Sequence, residues 1–316
     1  MEHRNLGRSG LIVSAVGLGC NNFGGRSDMA ATRAVVHKAL DLGVTFFDNA
    51  DTYGGAGNTG TAEEYLGRAL GARRRDIVLA TKCGRPMDSS GRLQGASRRF
   101  IMRAVEDSLR RLGTDWIDLY YQHIADPLTP IEETLRAMDD LVRQGKVRYI
   151  ACSTLTNWQV VEALWTSKHL GLDAFIACQE RYNLLEREVE AELMPVIDGY
   201  GLGLVPFSPL ANGLLTGKYR RNQPMPEGTR LTTMPRAAER YLTDANWTRV
   251  ERLSDFCASR GYGLLDLAIG WLLHRPGVAS VIAGATSPEQ VAANVAAAGR
   301  ALSREDMDEI DRLTAN

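Results

Sequence analysis

Short apolar runs alternate along this chain with longer segments in which apolar residues recur every three or four positions. The short runs fall at 16–19, 44–48, 77–82, 116–122, 147–152, 174–179, 202–207 and 279–283. Their length and their content of Val, Ile, Leu, Phe and Tyr predict strands. VTFFD (44–48) is almost continuously apolar up to its acid, as expected of a strand with helices on one side and a packed interior on the other. Helical periodicity covers 29–42, 61–71, 98–112, 130–144, 156–169, 187–200, 245–260, 262–274, 288–298 and 303–314. In 98–112, Ile101, Val105, Leu109 and Leu112 are spaced four, four and three apart, giving one apolar face, and Gly113 ends the helix. Residues 3–15 read as a hairpin turned at GRSG (7–10). Eight strands with intervening helices predict an α/β fold, a (β/α)8 TIM barrel with an N-terminal β-hairpin and a C-terminal extra helix, in one domain over 1–316. An open doubly wound sheet is the alternative, but evenly spaced units without a reversal point favour closure. The irregular stretch 217–244, rich in Pro, Arg and Thr, reads as a loop over one end of the barrel.

Composition narrows the class without changing it. Apolar residues make up 44% and charged residues 24%, with a net charge of −1, so neither nucleic acid nor an anionic membrane is an expected partner. The basic runs at 73–75 and 110–111 read as solvated helix ends. Residues 199–217 carry no charge, which raises the possibility of a membrane segment, but prolines, glycines and polar residues interrupt the run. A buried strand followed by a polar loop fits better. Cys20, Cys83, Cys152, Cys178 and Cys257 form no CxxC pair, and MEHRNLGRSG lacks the apolar stretch of a signal peptide. Both point to a reducing, cytoplasmic location.

The candidate chemistry lies at strand ends. Asp48 closes 44–48, Tyr53 follows in the next loop, Lys82 closes 77–82 and His123 follows 116–122. If the strands are parallel neighbours, all four converge on the face where such barrels carry their active sites. A lysine ammonium beside a phenol would lower its pKa and favour proton donation to a developing alkoxide, Asp48 would hold that lysine, and His123 would orient a carbonyl. The five histidines show no HxH or HExxH spacing, so no zinc site is expected.

Ordered motifs carry a resemblance along nearly the whole chain. GLG (17–19), DNADTYG (48–54), AEEYLGRAL (62–70), ATK (80–82) and DLYYQH (118–123) are followed by QERYNLL (179–185), PFSPLANGLLTGKY (206–219) and GATSPEQVAAN (284–294). In these the sequence resembles the aldo-keto reductases, closer to the bacterial branch related to potassium-channel β-subunits than to aldose reductase. The resemblance implies reversible carbonyl reduction with a nicotinamide dinucleotide, with Tyr53 as general acid supported by Asp48, Lys82 and His123.

It also implies a cofactor site. Ser153 and Gln179 would meet the nicotinamide carboxamide and Phe207 would stack on the ring. Ser208, Leu210 and Gly213 would meet the pyrophosphate, with Lys218 as a phosphate or ribose contact. In 284–294 the family holds the adenosine 2′-phosphate, many members with Lys and Arg where this chain has Gly284 and Gln290. Some relatives instead use Gln and Asn, here Gln290 and Asn294, with an arginine from the loop after the seventh strand, for which Arg230 is the candidate. NADP is therefore favoured, with NAD possible. Ser287, Pro288 and Gln290 also read as a helix start with a capping box. Thr154 stands where the family usually has Asn.

Rival folds and functions are less well supported. The Rossmann fingerprint fails because Asn22 occupies the place of the third glycine after Gly17 and Gly19. No Tyr precedes a Lys by four residues, as a short-chain reductase requires. The potassium-channel β-subunits share the family fold as cofactor-holding modules but have Asn where this chain has His123, which favours an enzyme acting on a small carbonyl or alcohol substrate. Substrate choice is expected to depend on Asn21, Asn22 and Phe23, on Ile124 and Ala125, and on loop 217–244.

Overall fold

The computed structural model describes every residue except Ala56, Asn58 and Asn316. After a hairpin of β1 (His3–Asn5) and β2 (Ile12–Ser14), β3 (Val16–Gly19) and β4 (Phe46–Asp48) start a parallel sheet. β5 (Val78–Cys83), β6 (Ile117–Gln122), β7 (Val147–Ser153), β8 (Ala177–Arg181), β9 (Gly203–Phe207) and β10 (Val281–Gly284) complete it. From β3 to β9 each strand pairs with the next, and β10 returns to pair with β3. The Leu204–Val278 bridge, with Leu204 N–H donating to Gly277 and Ala279 N–H donating to Leu204, closes the last gap. The structure is the (β/α)8 barrel expected from the alternation, with the hairpin before it and a final helix, Arg304–Thr314, after it.

Local signals set the surrounding helices. Arg98–Leu112 starts at Ser97, whose hydroxyl accepts from Phe100 N–H, and stops at Gly113 with φ 64°. Its expected apolar face is buried, with Phe100, Ala104 and Ser108 added to it. Ser287 caps the helix Pro288–Ala297 through Gln290 N–H, but the Gln290 side chain accepts from Thr286 rather than from Ser287, so the expected box closes one residue early. Loop 217–244 contains two short helices, Arg230–Thr233 and Pro235–Tyr241, where an unstructured loop was expected. The uncharged stretch 199–217 resolves into the end of a helix, strand β9 and a 3₁₀ turn (Ala211–Thr216), and among the described residues no helix is long and apolar enough to cross a membrane.

The barrel interior is a separate core. Phe46, Ala80, Leu119, Tyr121, Ala151, Ala177, Val205 and Ile282 point inward from successive strands, with Leu6 and Val13 of the hairpin packed against them. The hairpin sits at the N-terminal ends of the strands, where Arg8 N–H donates to Gly201 and Ser14 bonds to Thr45. It plugs that end, so the C-terminal end is left to form a cavity.

Close approach between helices fixes one glycine. A Cβ on Gly67, within the helix Thr61–Leu70, would lie 2.3 Å from the Leu112 carbonyl oxygen. In an open helix Gly→Ala gains about 1 kcal/mol. Here the contact reverses the sign, and Gly67→Ala is expected to lose about 2 kcal/mol or more in urea unfolding; an unchanged or raised midpoint would show that the helices can part without cost.

Candidate active site

Strand pleat places the site. Side chains two apart on a strand share a face. Asp48 follows inward-facing Phe46, Lys82 follows Ala80, and His123 follows Tyr121. Ser153, Gln179 and Phe207 stand in the same relation to Ala151, Ala177 and Val205. The packed interior thus ends in a layer of polar and aromatic groups at the strands' C-terminal rim.

Within that layer Lys82 is fully buried and Asp48 nearly so. Lys82 Nζ donates to Asp48 Oδ2 at 2.6 Å and to the Asn49 carbonyl at 2.8 Å, and reaches Tyr53 Oη at 3.5 Å. Gln179 Nε2 donates to Asp48 Oδ1 at 2.9 Å. The Tyr53 and His123 rings meet edge to face with centroids 6.0 Å apart. Thr154, in a left-handed conformation with φ 53°, donates its hydroxyl to the His123 carbonyl at 2.9 Å. This residue, a departure from the family pattern, ties the end of β7 to His123.

Burial sets the protonation states. Desolvation works against the charge on Lys82, but Asp48 and Tyr53 together more than offset it and the ammonium is held above its ordinary pKa. Desolvation pushes the Tyr53 phenol up, and the field of Lys82 recovers only part of the rise. The expected lowering of the Tyr53 pKa is therefore not found, because burial outweighs the ammonium beside it. His123 is pushed down to about 2 by burial, then by the charges of Lys82 and Arg85, so its imidazole is neutral at neutral pH.

These groups line a cavity of about 950 Å³. Of the residues expected from sequence, Asp48, Tyr53, His123, Ser153, Gln179, Phe207, Ser208, Leu210, Gly213, Lys218, Gly284, Gln290 and Asn294 all line it, and Lys82 lies beneath, touching Asp48 and Tyr53. Ser153 donates to the Gln179 carbonyl at 2.9 Å. Gln179 does not close its strand as expected, since β8 runs on through Glu180 to Arg181. Ser208, Ala211, Asn212 and Gly213 all have positive φ, between 47° and 101°, in the loop after β9. Such left-handed backbone is costly for Ser and Ala, and it belongs to the geometries that form anion-binding concavities. Gly284 has room problems of its own: a Cβ there would meet the Asn21 and Asn22 side chains at 3.3 Å.

Arg230 joins the cavity wall, donating to Asn21 at 3.0 Å, Asn22 at 2.8 Å and Asn212 at 3.3 Å. The amide oxygens of Asn21 and Asn22, on which substrate choice was expected to depend, are thus committed to Arg230. Phe23 is fully buried on the helix side, and Ile124 and Ala125 are outside the lining. Sequence reasoning missed Arg85, Arg181, Asn212 and Thr286, which also line the cavity. Arg181 covers the Phe207 ring at 5.1 Å while bonding to Tyr241 at 3.0 Å. No sequence signal pointed to Arg181, because it joins the wall only where β8 runs on past Gln179 and pairs it in register with Phe207.

A dinucleotide fits these residues. The volume matches sites for such ligands, and Arg26, Arg85, Arg181, Lys218 and Arg230 supply five cations, whereas Asp48 is the only carboxylate in the wall among the described residues.

The model of the Aldo/keto reductase family matches residues 15–315. The chain is 39% identical over 307 residues to the probable voltage-gated potassium channel subunit beta of Oryza sativa subsp. japonica, covering 94% of this chain and 91% of the relative. It is 34% identical over 330 residues to the L-glyceraldehyde 3-phosphate reductase of Escherichia coli O157:H7, covering 100% and 93%. An uncharacterized oxidoreductase of Bacillus subtilis (strain 168) is 37% identical over 312 residues, covering 96% and 93%. Channel-subunit-like and bacterial relatives are both present, as the sequence motifs implied.

The state of His123 has a consequence for stability. An unfolded imidazole takes up a proton near pH 6.5, whereas the folded one stays neutral down to about 2. Below pH 6.5 the unfolded state therefore binds more protons, and this site loses up to about 1.4 kcal/mol of stability per pH unit. Urea unfolding at about pH 7 and about pH 5.5 is expected to show a larger loss for the wild type than for His123→Gln; equal losses would mean that the imidazole titrates normally.

Proposed function

The chain belongs to the aldo/keto reductase family, and on that premise we propose that it is an oxidoreductase reducing aldehyde or ketone carbonyls to alcohols with a nicotinamide dinucleotide, Tyr53 giving the proton. One observation carries the reading: the hydrogen-bonded chain Asp48–Lys82–Tyr53 ends beside His123 inside a cavity large enough for cofactor and substrate. Ser153, Gln179 and Phe207 would hold the nicotinamide, and Ser208, Leu210, Gly213 and Lys218 the phosphates. When bound, the cofactor supplies a hydride to the carbonyl carbon.

Each protein group has a distinct task in this reading. Neutral His123 donates a hydrogen bond to the carbonyl oxygen and aims it at the phenol. Tyr53 Oη releases its proton to that oxygen as negative charge develops there, because an alkoxide is a far stronger base than a phenolate. Lys82 stabilises the phenolate left behind, and Asp48 with Asn49 holds Lys82 in position. The raised pKa of Tyr53 keeps it protonated at neutral pH, which suits reduction better than alcohol oxidation.

The similarity to potassium-channel subunits supports a second reading, a module that holds the cofactor with little turnover. His123 and its contact with Tyr53 favour the enzyme. Steady-state oxidation of NADPH with a panel of aldehydes separates the two. Tyr53→Phe is expected to reduce turnover by about 10³-fold or more while changing cofactor affinity less than about threefold. Retention of most activity in that variant would remove Tyr53 from the role of acid.

NADP is the favoured cofactor, held at its 2′-phosphate by Arg230 with Gln290 and Asn294. Arg230 supports this because it lies across the cavity wall beside Gly284, joined to it through Asn21 and Asn22. Fluorescence titration is expected to show tighter binding of NADPH than NADH, with Arg230→Ala narrowing the ratio about tenfold. A wild-type ratio near one would overturn the preference.

A further inference from the structure

Arg85 lines the cavity, and the proposed proton transfer gives it no task. Its backbone leaves β5 beside the reaction site. Cys83 O accepts the His123 N–H at 2.8 Å, and a Cβ on the intervening Gly84 would lie 3.7 Å from His123 N, as from the Gly95 carbonyl oxygen and the Ile124 side chain. The Arg85 charge is felt by both the His123 imidazole and the Tyr53 phenol.

The other cations of the wall are already engaged. Arg230 serves three asparagine oxygens, Arg181 serves Tyr241 and stacks on Phe207, Arg26 donates to the Gly228 carbonyl, and Lys218 sits 5.1 Å over the Tyr219 ring. Arg85 is half-buried and has no hydrogen-bond, carboxylate or ring partner among the described residues. The one carboxylate in the wall among the described residues, Asp48, is taken by Lys82 and Gln179. A guanidinium withdrawn in part from water and left without a counter-charge favours an anionic ligand, and its planar fork matches phosphate and carboxylate oxygens.

We propose that Arg85 is a specificity-determining residue that binds the anionic group of a short phosphorylated or carboxylated aldehyde whose carbonyl lies at Tyr53 and His123. The inference rests on the reductase reading and names its substrate class. The substrate is short because Arg85, Tyr53 and His123 line one cavity and the Arg85 charge reaches both the phenol and the imidazole, so few bonds separate anion from carbonyl. The anion would also complete the site electrostatically, replacing solvent at a cation that has no partner among the described residues. Two positive groups near the reacting oxygen, Lys82 and Arg85, would then have separate functions: Lys82 supports the phenolate and Arg85 selects the substrate.

The test compares kcat/KM for glyceraldehyde with glyceraldehyde 3-phosphate, and for butanal with succinic semialdehyde, in the wild type, Arg85→Met and Arg85→Lys. The wild type is expected to prefer the anionic member of at least one pair by about 10- to 100-fold, the pair identifying phosphate or carboxylate. Arg85→Met should remove that preference mainly through KM, Arg85→Lys should keep part of it, and added salt should weaken it. Reduction of the neutral aldehydes with no preference for either anion, or a preference that Arg85→Met retains, overturns the role of Arg85 and leaves the reductase reading standing. Failure of the wild type to reduce any of the four overturns the reductase reading, and this inference with it.

Discussion

The buried ion pair of Lys82 with Asp48 is the interaction on which the rest of the site depends. An ammonium has three N–H donors, and here they have three acceptors: Asp48, the Asn49 carbonyl and Tyr53. No donor is left to water, so the end of β4 and the loop that follows it are fixed relative to β5. Removing either charge would leave the other buried without a partner, a loss of about 3–5 kcal/mol in comparable cases. Gln179, reaching from β8 to the second Asp48 oxygen, extends the constraint across the barrel mouth.

The same burial that makes the pair necessary sets the chemistry around it. Below the pair lies a dry interior closed at the far end by Leu6 and Val13. Low solvent access raises the phenol of Tyr53 and keeps His123 neutral, so a proton donor and a hydrogen-bonding imidazole coexist with a charged lysine in a small space. The cations of the outer wall are arranged differently. Arg230, Arg181 and Arg26 bind protein acceptors and fasten loops over the rim, with Arg230 joining the loop after β9 to that after β3. Arg85 departs from this pattern, which makes it informative about the ligand.

Loop geometry connects fold to ligand binding in a second way. The stretch 208–213 holds non-glycine residues in left-handed backbone, and Thr154 does the same after β7. Such conformations persist where the surroundings over-determine them. Asn183, which donates to the Ser208 carbonyl, and the Thr154 bond to His123 are part of that support.

The sequence by itself determined the barrel, because strand and helix periods are local properties that eight alternations repeat, and it determined that Asp48, Tyr53, Lys82 and His123 share a face, because parallel strands put their C-terminal ends together. Strand ends were less legible: β8 begins at Ala177 rather than 174 and continues to Arg181, since pairing with neighbours, not composition, decides where a strand stops. The pKa of Tyr53 was misjudged for a related reason. Adjacency of a lysine can be inferred from motif spacing, but the depth of burial that outweighs it cannot. Only the tertiary structure decided which polar residues are already satisfied. Asn21, Asn22 and Arg230, in two distant parts of the chain, consume one another's hydrogen bonds, and Arg85 is left without such a partner among the described residues, because hydrogen-bond satisfaction depends on the three-dimensional neighbours of each group and not on its neighbours in sequence.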